Sequence, residues 1–321
     1  MMKDIYPVLT ELNINKFENN TINKAWIHLT EDGIGRPILI PVIVARGKQK
    51  GPVLGLSAVV HGNELNGIKV IHKLFSQINI ADLSGTIVGV PIVNMPSVLL
   101  LKRMFTDNVD LNRIMPGKTD GNESEIYTHR LLDRIFRRFE YLIDLHTASF
   151  GRINSYYIRV NPKSDSAMKM AQLQNAQIIL HSKRVDGTLR GAVLEMGINA
   201  ITVEVGDPNT FQKGMIRSGL TGIYNLISYL GMLEEEIEES QQESIICKKS
   251  KWLYTDQGGI LEVYPKLLEI VEKGATIARL SNAFGELIKE YHAPYEGVII
   301  GKSTMPIGQT GSRIIHLGKM M

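Results

Sequence analysis

Residues 51–78 read GPVLGLSAVVHGNELNGIKVIHKLFSQI, and the fold of the chain is decided here. The first ten residues are an apolar run rich in Val, Leu and Gly, which suits a strand buried on both faces. From Gly67 the period changes. Ile68, Ile71, His72 and Phe75 recur at the three- and four-residue spacing of a helix face. Between strand and helix lies His61-Gly62-Asn63-Glu64, in the turn that leaves the strand. Ligands of a parallel α/β sheet bind at the carboxyl ends of its strands. A His and a Glu three residues apart in such a turn can both point at one ion, although a lone pair of this kind arises often by chance and is more often a helix cap beside a surface acid.

The same alternation extends outward. PILIPVIV at 37–44 precedes the turn-like RGKQKG, and TIVGVPIVN at 86–94 follows the helix as another buried run. A helix is expected over 124–139, a strand at YLIDLH (141–146), a helix around 166–175, a strand at AITVEVG (200–206) and a helix at TGIYNLISYLGML (221–233). Such alternation predicts an α/β fold whose sheet is mostly parallel or mixed, with flanking helices. Residues 234–250, EEEIEESQQESIICKKS, are charged and unpatterned. Beyond them GGILEVY, LLEIVEKGATIARL, GELIKEYHAPYEGVIIG and RIIHLG read as short strands punctuated by Gly and Pro. The expected organisation is a catalytic domain over 1–235, a linker over 236–250 and a small all-β domain over 251–321.

The bulk numbers exclude several classes of function. The 321 residues exceed what one core usually organises, which favours a large unit with a smaller one. Apolar residues at 44%, charged residues at 21% and a mean hydropathy near zero are ordinary for a globular chain. A formal charge of +3 is too small to imply a nucleic-acid surface, so no nucleic-acid partner is expected. Cys247 is the sole cysteine, which rules out an intrachain disulfide and a cysteine-based metal site. The first residues, MMKDIYPVLTELNINKF, carry charges inside any apolar core, and no apolar run approaches the roughly 20 residues of a membrane span. The expected location is cytoplasmic, with no membrane partner. Nothing in the sequence fixes an oligomeric state, which leaves room for a homo-oligomer.

Three further motifs join His61 and Glu64. Asp144-Leu145-His146 ends a second strand at the same sheet edge and offers a third ligand. Alone, His146 would read as a buried histidine satisfied by backbone. Two His and one Glu from separate strand ends, however, are a known catalytic zinc set that keeps the fourth position for water. Glu204 stands in the apolar run AITVEVG, where a carboxylate costs several kcal/mol unless paired or employed, about what burying a charge demands. A general base for metal-activated water is one employment, and a strand-end acid facing solvent is the other reading. Asp110-Leu111-Asn112-Arg113 follows Lys102-Arg103. Asn112 and Arg113 present an amide and a planar five-donor fork suited to a carboxylate, and a nearby arginine could stabilise an oxyanion. Asp110 suits the second nitrogen of a metal-binding imidazole.

HGNE, DLNR followed by PG, DLH and VEVG, in that order, resemble the succinylglutamate desuccinylase and aspartoacylase family, relatives of the zinc carboxypeptidases. The motifs run from about Val53 to Gly206, and the flanking pattern extends the likeness over nearly the whole chain. The resemblance implies one zinc ion per chain held by His61, Glu64 and His146, with Glu204 as general acid/base. It further implies that Arg103 polarises the scissile carbonyl, that Asn112 and Arg113 grip a substrate carboxylate, and that Arg190 serves the acidic side of the substrate. The C-terminal phrases GGILE, VEKG and APYEGV resemble the barrel-sandwich of biotinyl and lipoyl carriers. The hairpin tip that would carry the acceptor lysine reads Ser281-Asn282-Ala283-Phe284-Gly285, so no carrier function is expected. The biotin-acceptor-like string Ala167-Met168-Lys169-Met170 falls in an expected helix.

The expected activity is hydrolysis of the amide of a small N-acyl amino acid, with ester cleavage open to the same chemistry. The alternatives are a zinc carboxypeptidase acting on peptides and a zinc-binding protein without catalysis. Pocket walls are expected in loops, much of them within 148–190. His181, His292 and His316 have no acidic or His partner at ligand spacing and are set aside, and no Gly-x-Ser-x-Gly elbow surrounds Ser57 or Ser149.

Overall fold

A computed structural model of the chain describes residues 6–149, 151–183, 186–240 and 242–321. The chain begins with strands β1 (Val8–Leu9), β2 (Thr21–Glu31), β3 (Pro37–Arg46) and β4 (Gln49–Ala58), then helix α1 (Asn66–Gln77) and strand β5 (Ser84–Val90). The short helix α2 (Met95–Val98) and helix α3 (Glu123–Arg134) lead to β6 (Tyr141–His146), β7 (Arg152–Asn154) and β8 (Tyr156–Val160). Helix α4 (Asp165–Gln172), β9 (Ile178–His181), α5 (Leu189–Glu195), β10 (Asn199–Val205) and α6 (Lys213–Tyr229) complete the α/β part. The β-rich remainder comprises β11 (Ile245–Tyr254), β12 (Gly259–Val263), β13 (Ile270–Val271), β14 (Thr276–Ser281), β15 (Leu287–His292), β16 (Gly297–Ser303), β17 (Ile307–Gly308) and β18 (Arg313–Met320). This is the expected α/β fold, with a mixed sheet and a β-rich C-terminal region.

Four neighbouring strands, β5, β4, β6 and β10, are parallel and form the centre of the main sheet. Their side chains alternate between two cores. On β6 and β10, Ile143, Leu145, Ile201, Val203 and Val205 face a core closed by α1, α4 and α6. Leu142 and Ala200 face the opposite core, which α3 and α5 cover together with the antiparallel pair β2–β3. Burial on both faces explains why these strands read as continuous apolar runs, and the period of two fixes which residues share a face. Asp144 and His146 follow Leu142 on that face, as Thr202 and Glu204 follow Ala200.

On its other side the sheet continues through β8, β9 and β11 into β18 and β16 of the C-terminal region. Residues 245–250, within the expected linker, are the first part of β11, which pairs with β9 and with β18. Strands β13 and β7 both pair with β16 in this main sheet, while β15, β14, β12 and β17 form, in that order, a separate four-stranded sheet. Among the described residues, no helix is long and apolar enough to cross a membrane.

Candidate active site

The site lies where β4, β6 and β10 end. Just past β4 the chain turns sharply at Val59, which adopts a φ of 59°, a conformation that a β-branched residue rarely takes. Hydrogen bonds from Val93 and Asn94 backbone N–H groups to the carbonyls of Ala58 and Val59 hold this turn. The Asn94 side chain donates to the Val60 carbonyl at 3.1 Å. The turn delivers His61 and Glu64 to the sheet edge, and Gly67 lets α1 lie close against β4 and β6. A Cβ at Gly67 would meet those of Ala58 and Leu145 at 2.7 and 2.9 Å.

Glu64, only 1% exposed, touches both histidines. Its Oε1 lies 2.9 Å from His61 Nδ1 and its Oε2 lies 2.8 Å from His146 Nδ1. Ligand atoms of the three residues all fall within 4.8 Å of one another. Each imidazole hands its other nitrogen to a carboxylate: His61 Nε2 is 3.0 Å from Asp110 Oδ1, and His146 Nε2 is 2.7 Å from Asp144 Oδ2. Ser57 on the neighbouring strand donates to Asp144 Oδ1 at 2.7 Å. Such pairing fixes the ring and its tautomer, leaving both Nδ1 atoms aimed at one point. Burial would raise the Glu64 carboxyl, but the two imidazoles outweigh it and hold the group well below the usual carboxylate range. Burial opposes charge on His146, yet Asp144 and Glu64 outweigh it and raise that imidazole well above its ordinary value.

Glu204 stands beside His146 because the two are paired in register across β6 and β10. On its other side it is paired with Tyr157 of β8. Its Oε2 accepts from Asn154 Nδ2 at 3.1 Å, and its Oε1 accepts from the Tyr157 hydroxyl and Arg159 Nε, each at 3.3 Å. Arg159 also donates to the Tyr157 hydroxyl at 2.6 Å. The acid is thus oriented by three donors rather than left unpaired in the strand.

Arg103 is anchored by Asp110, whose Oδ2 accepts from Nε at 3.2 Å and from a terminal nitrogen at 2.9 Å. The other terminal nitrogen donates to Glu64 Oε1 at 3.1 Å and contacts the Ser149 hydroxyl. The Asn112 amide oxygen accepts from the Leu189 N–H at 2.7 Å, which ties its loop to α5 and leaves the amide NH2 as the donor. Arg113 donates to the Asn112 carbonyl at 2.7 Å. Arg190, 3% exposed, sits in the first turn of α5 and donates to the Ser182 carbonyl and hydroxyl at 3.2 and 3.0 Å. Burial, then the charge of Arg159, pushes its pKa down to about 10.

All eight residues singled out in the sequence, His61, Glu64, Arg103, Asn112, Arg113, His146, Arg190 and Glu204, line one cavity of about 440 Å³. The same cavity is lined by Arg152, Tyr157 and Arg159, within the 148–190 segment expected to supply much of the wall, and, from the C-terminal region, by Ser250, Trp252 and Arg313, which were not anticipated, and by His316, which was set aside on sequence and which the fold brings to the cavity. Tyr157 and Arg159 had a signal, since the period of two in SYYIRV puts them on one face. His316 had none, because its neighbours come from distant segments. Phe150, Arg184 and Val185, within the expected pocket loops, lie outside the described residues.

A family profile described as the succinylglutamate desuccinylase/aspartoacylase catalytic domain matches residues 50–230. The N-alpha-acetyl-L-2,4-diaminobutyric acid deacetylase of Halomonas elongata is 24% identical, over 89% of this chain and 88% of that protein. Among solved structures, a succinylglutamate desuccinylase from Silicibacter sp. TM1040 superposes with a TM-score of 0.84 at 21% identity, covering 95% of this chain and 98% of its own. The product-bound ectoine utilization protein EutE (DoeB) from Ruegeria pomeroyi gives 0.85 at 21% identity, covering 94% and 96%. At such identities these structures establish a shared fold.

Proposed function

Because the chain belongs to the succinylglutamate desuccinylase/aspartoacylase family, we propose that it is a zinc-dependent amidohydrolase that removes the acyl group from the nitrogen of a small amino acid. The observation that carries this reading is Glu204, held by three donors beside His146 and at the edge of the His61–Glu64–His146 cluster. The cluster fits a metal. Two imidazole nitrogens and a carboxylate, buried and backed by Asp110 and Asp144, are a donor set for zinc. When bound there, the ion would act as a Lewis acid and bring the pKa of water to about 7.

The chain's own residues supply the rest. Glu204 takes the proton of the attacking water and passes it to the departing nitrogen, so that the product leaves as a neutral amine. Arg103, fixed by Asp110 against Glu64, draws electron density from the carbonyl oxygen as negative charge develops on it. Asn112 and Arg113 hold the carboxylate of the amino acid, and Arg190 serves the acidic side of the substrate. The wall contributed by Trp252 and Arg313 narrows the cavity and supports a small substrate over a peptide.

The metal requirement is tested by stripping the protein with a chelator and following amine release from N-acyl amino acids. One zinc per chain, complete loss of activity on stripping and recovery on adding zinc are expected. Undiminished hydrolysis by protein shown to be free of metal would sink the reading.

A further inference from the structure

The Asn154 amide that meets Glu204 Oε2 at 3.1 Å is itself held by groups that lie beyond the chemistry above. Its backbone N–H donates to Asp207 Oδ1 at 3.2 Å. Asp207 Oδ2 accepts from Gln212 Nε2 at 2.9 Å, and the Gln212 side-chain oxygen accepts from the Asp207 N–H at 2.7 Å. That oxygen also accepts from Asn66 Nδ2 at 3.0 Å, while the Asn66 side-chain oxygen accepts from the Gln212 N–H at 2.8 Å. Asn66 closes the circuit by donating to the carbonyl of Val205, the residue after Glu204, at 2.7 Å. Asn66, Gln212, Asp207 and Asn154 thus form a ring of hydrogen bonds that starts one residue past Glu204 and returns to its carboxylate.

The local sequence makes room for this ring. Gly206, which ends the VEVG run, takes a φ of 81°, and a Cβ there would meet Gln212 Oε1 at 2.2 Å, so only glycine lets the Gln212 side chain fold back onto the strand end. Asn66 is the first residue of α1, two residues after Glu64, and is fully buried. The ring therefore ties the turn that carries His61 and Glu64 to the strand end that carries Glu204, and the Asn209 N–H adds a second tie to the Asn63 carbonyl at 2.9 Å. Asn154 is held on its other side by the C-terminal region. Among the described residues β7 pairs only with β16, where Asn154 stands opposite Gly301, and Ser155 donates its N–H and its hydroxyl to the Ile300 carbonyl, each at 3.0 Å. A Cβ at Gly301 would meet the Asn154 side-chain oxygen at 2.4 Å. In a network of this kind each member fixes the next, because a broken bond leaves a polar group unpaired away from water.

We propose that Asp207, clasped by Gln212, is a positioning residue for Glu204: it holds Asn154 against Glu204 Oε2 and, through Gln212 and Asn66, keeps that carboxylate in register with the His61–Glu64–His146 cluster. This deepens the deacylase reading and rests on it. A general base has to sit within about 3 Å of the proton it takes. The other oxygen of Glu204 accepts from Tyr157 and Arg159, so loss of the Asn154 donor leaves the carboxylate drawn to that pair alone. Asp207 also depends on the ring in its turn. Burial raises its carboxyl above the ordinary range, and the Asn154 N–H and the Gln212 amide are the donors that oppose this. The C-terminal region thereby has a part in the placement of Glu204, since β16 holds the strand on which Asn154 stands.

The pairing of Asp207 with Gln212 can be inverted, and this provides the test. Asp207→Asn sets an amide against the Gln212 amide and the Asn154 N–H, so one bond is lost whichever way the new side chain turns. Gln212→Glu alone sets carboxylate against carboxylate. The two changes together restore one donor facing one acceptor. Zinc affinity, kcat and KM are measured for the wild type, both single variants and the double variant, on whichever of N-acetyl-L-alanine, N-acetyl-L-aspartate and N-succinyl-L-alanine the wild type cleaves fastest. Each single variant should lose about tenfold in kcat, the size of a lost charge-assisted hydrogen bond, with KM and zinc affinity unchanged, and the double variant should recover most of it. Asn154→Ala removes the final donor while leaving the β7 backbone to pair, and the same loss is expected there even if the other variants do not fold. Losses shared with KM or zinc affinity, or a double variant as slow as the singles, would mark a structural role and overturn the proposal. Crystal structures of the wild type, Asp207→Asn, Asn154→Ala and the double variant read the Glu204 carboxylate without turnover. It should be displaced in the two single variants and back in place in the double, and a carboxylate that keeps its wild-type position in both singles would overturn the proposal whatever the hydrolysis shows. If the wild type hydrolyses nothing but the carboxylate moves and returns in this way, the deacylase reading fails and the positioning of Glu204 stands.

Discussion

Glu64 is shared between two imidazoles, and both imidazoles lean on a second carboxylate, so the cluster is aligned by its surroundings before any ligand arrives. Asp144 shows this dependence most clearly. It accepts from His146 Nε2 and from Ser57, and it leaves His146 Nδ1 directed at Glu64. Asp144→Asn preserves the shape but removes the charge that favours Nδ1 as the ligand atom. Zinc affinity, measured by competition with a chromophoric chelator, should fall by roughly ten- to a hundredfold, the usual size for such outer partners. An unchanged affinity would show that Asp144 does not orient the ring. The legibility of these residues followed their spacing. His61 with Glu64, Asp144 with His146, and Glu204 in its apolar run were readable because each motif is compact and ends a strand. Arg190 was legible as a residue, but the helix that buries it was not. Trp252, Arg313 and His316 could not be associated with the site, because only the pairing of β11 with β18 and the path of the sheet bring them there.

The elements that position His61, Glu64 and His146 were read well where they are long and buried. The stretches expected at 37–44, 51–60, 67–78 and 141–146 appear as β3, β4, α1 and β6, with edges moved by at most two residues at most ends. The pocket walls were expected in loops, much of them within 148–190, and that segment, beyond its expected helix, also holds β7, β8 and β9 and the start of α5. Those strands span three to five residues each, too few for a period of two to stand out from chance. The helix α1 must lie close to β4 and β6 for the turn at residues 59–65 to reach the sheet edge, and Gly67 permits that approach. Gly67→Val would press a branched side chain against the Cβ atoms of Ala58 and Leu145. A loss of about 1–3 kcal/mol is expected from overpacking of this kind, read as a lower urea midpoint, together with weaker zinc binding as His61 and Glu64 shift. Wild-type stability and zinc affinity would contradict the close packing.

Seen as a whole, the molecule closes its cavity from two directions. The parallel strands present the cluster and Glu204, while the C-terminal region adds Ser250, Trp252, Arg313 and His316 to the facing wall. The main sheet runs without a break from β10 through β8, β9 and β11 to β18 and β16, so that wall is held by backbone pairing rather than by a flexible tether. The barrel-like phrases of the C-terminal sequence correctly announced a β-rich region, but they gave no sign that it would face the chemistry. The proposed reaction depends on Glu204 beside the His61–Glu64–His146 cluster. Amine release from a panel of N-acyl amino acids by the zinc-loaded protein, run beside Glu204→Gln, tests that dependence most directly. Wild-type protein should cleave at least one compound, and the variant, still binding one zinc per chain, should lose on the order of a hundredfold or more in kcat, as general acid–base catalysis requires. Hydrolysis by the variant at the wild-type rate, or none by either protein across every acyl class, would contradict it.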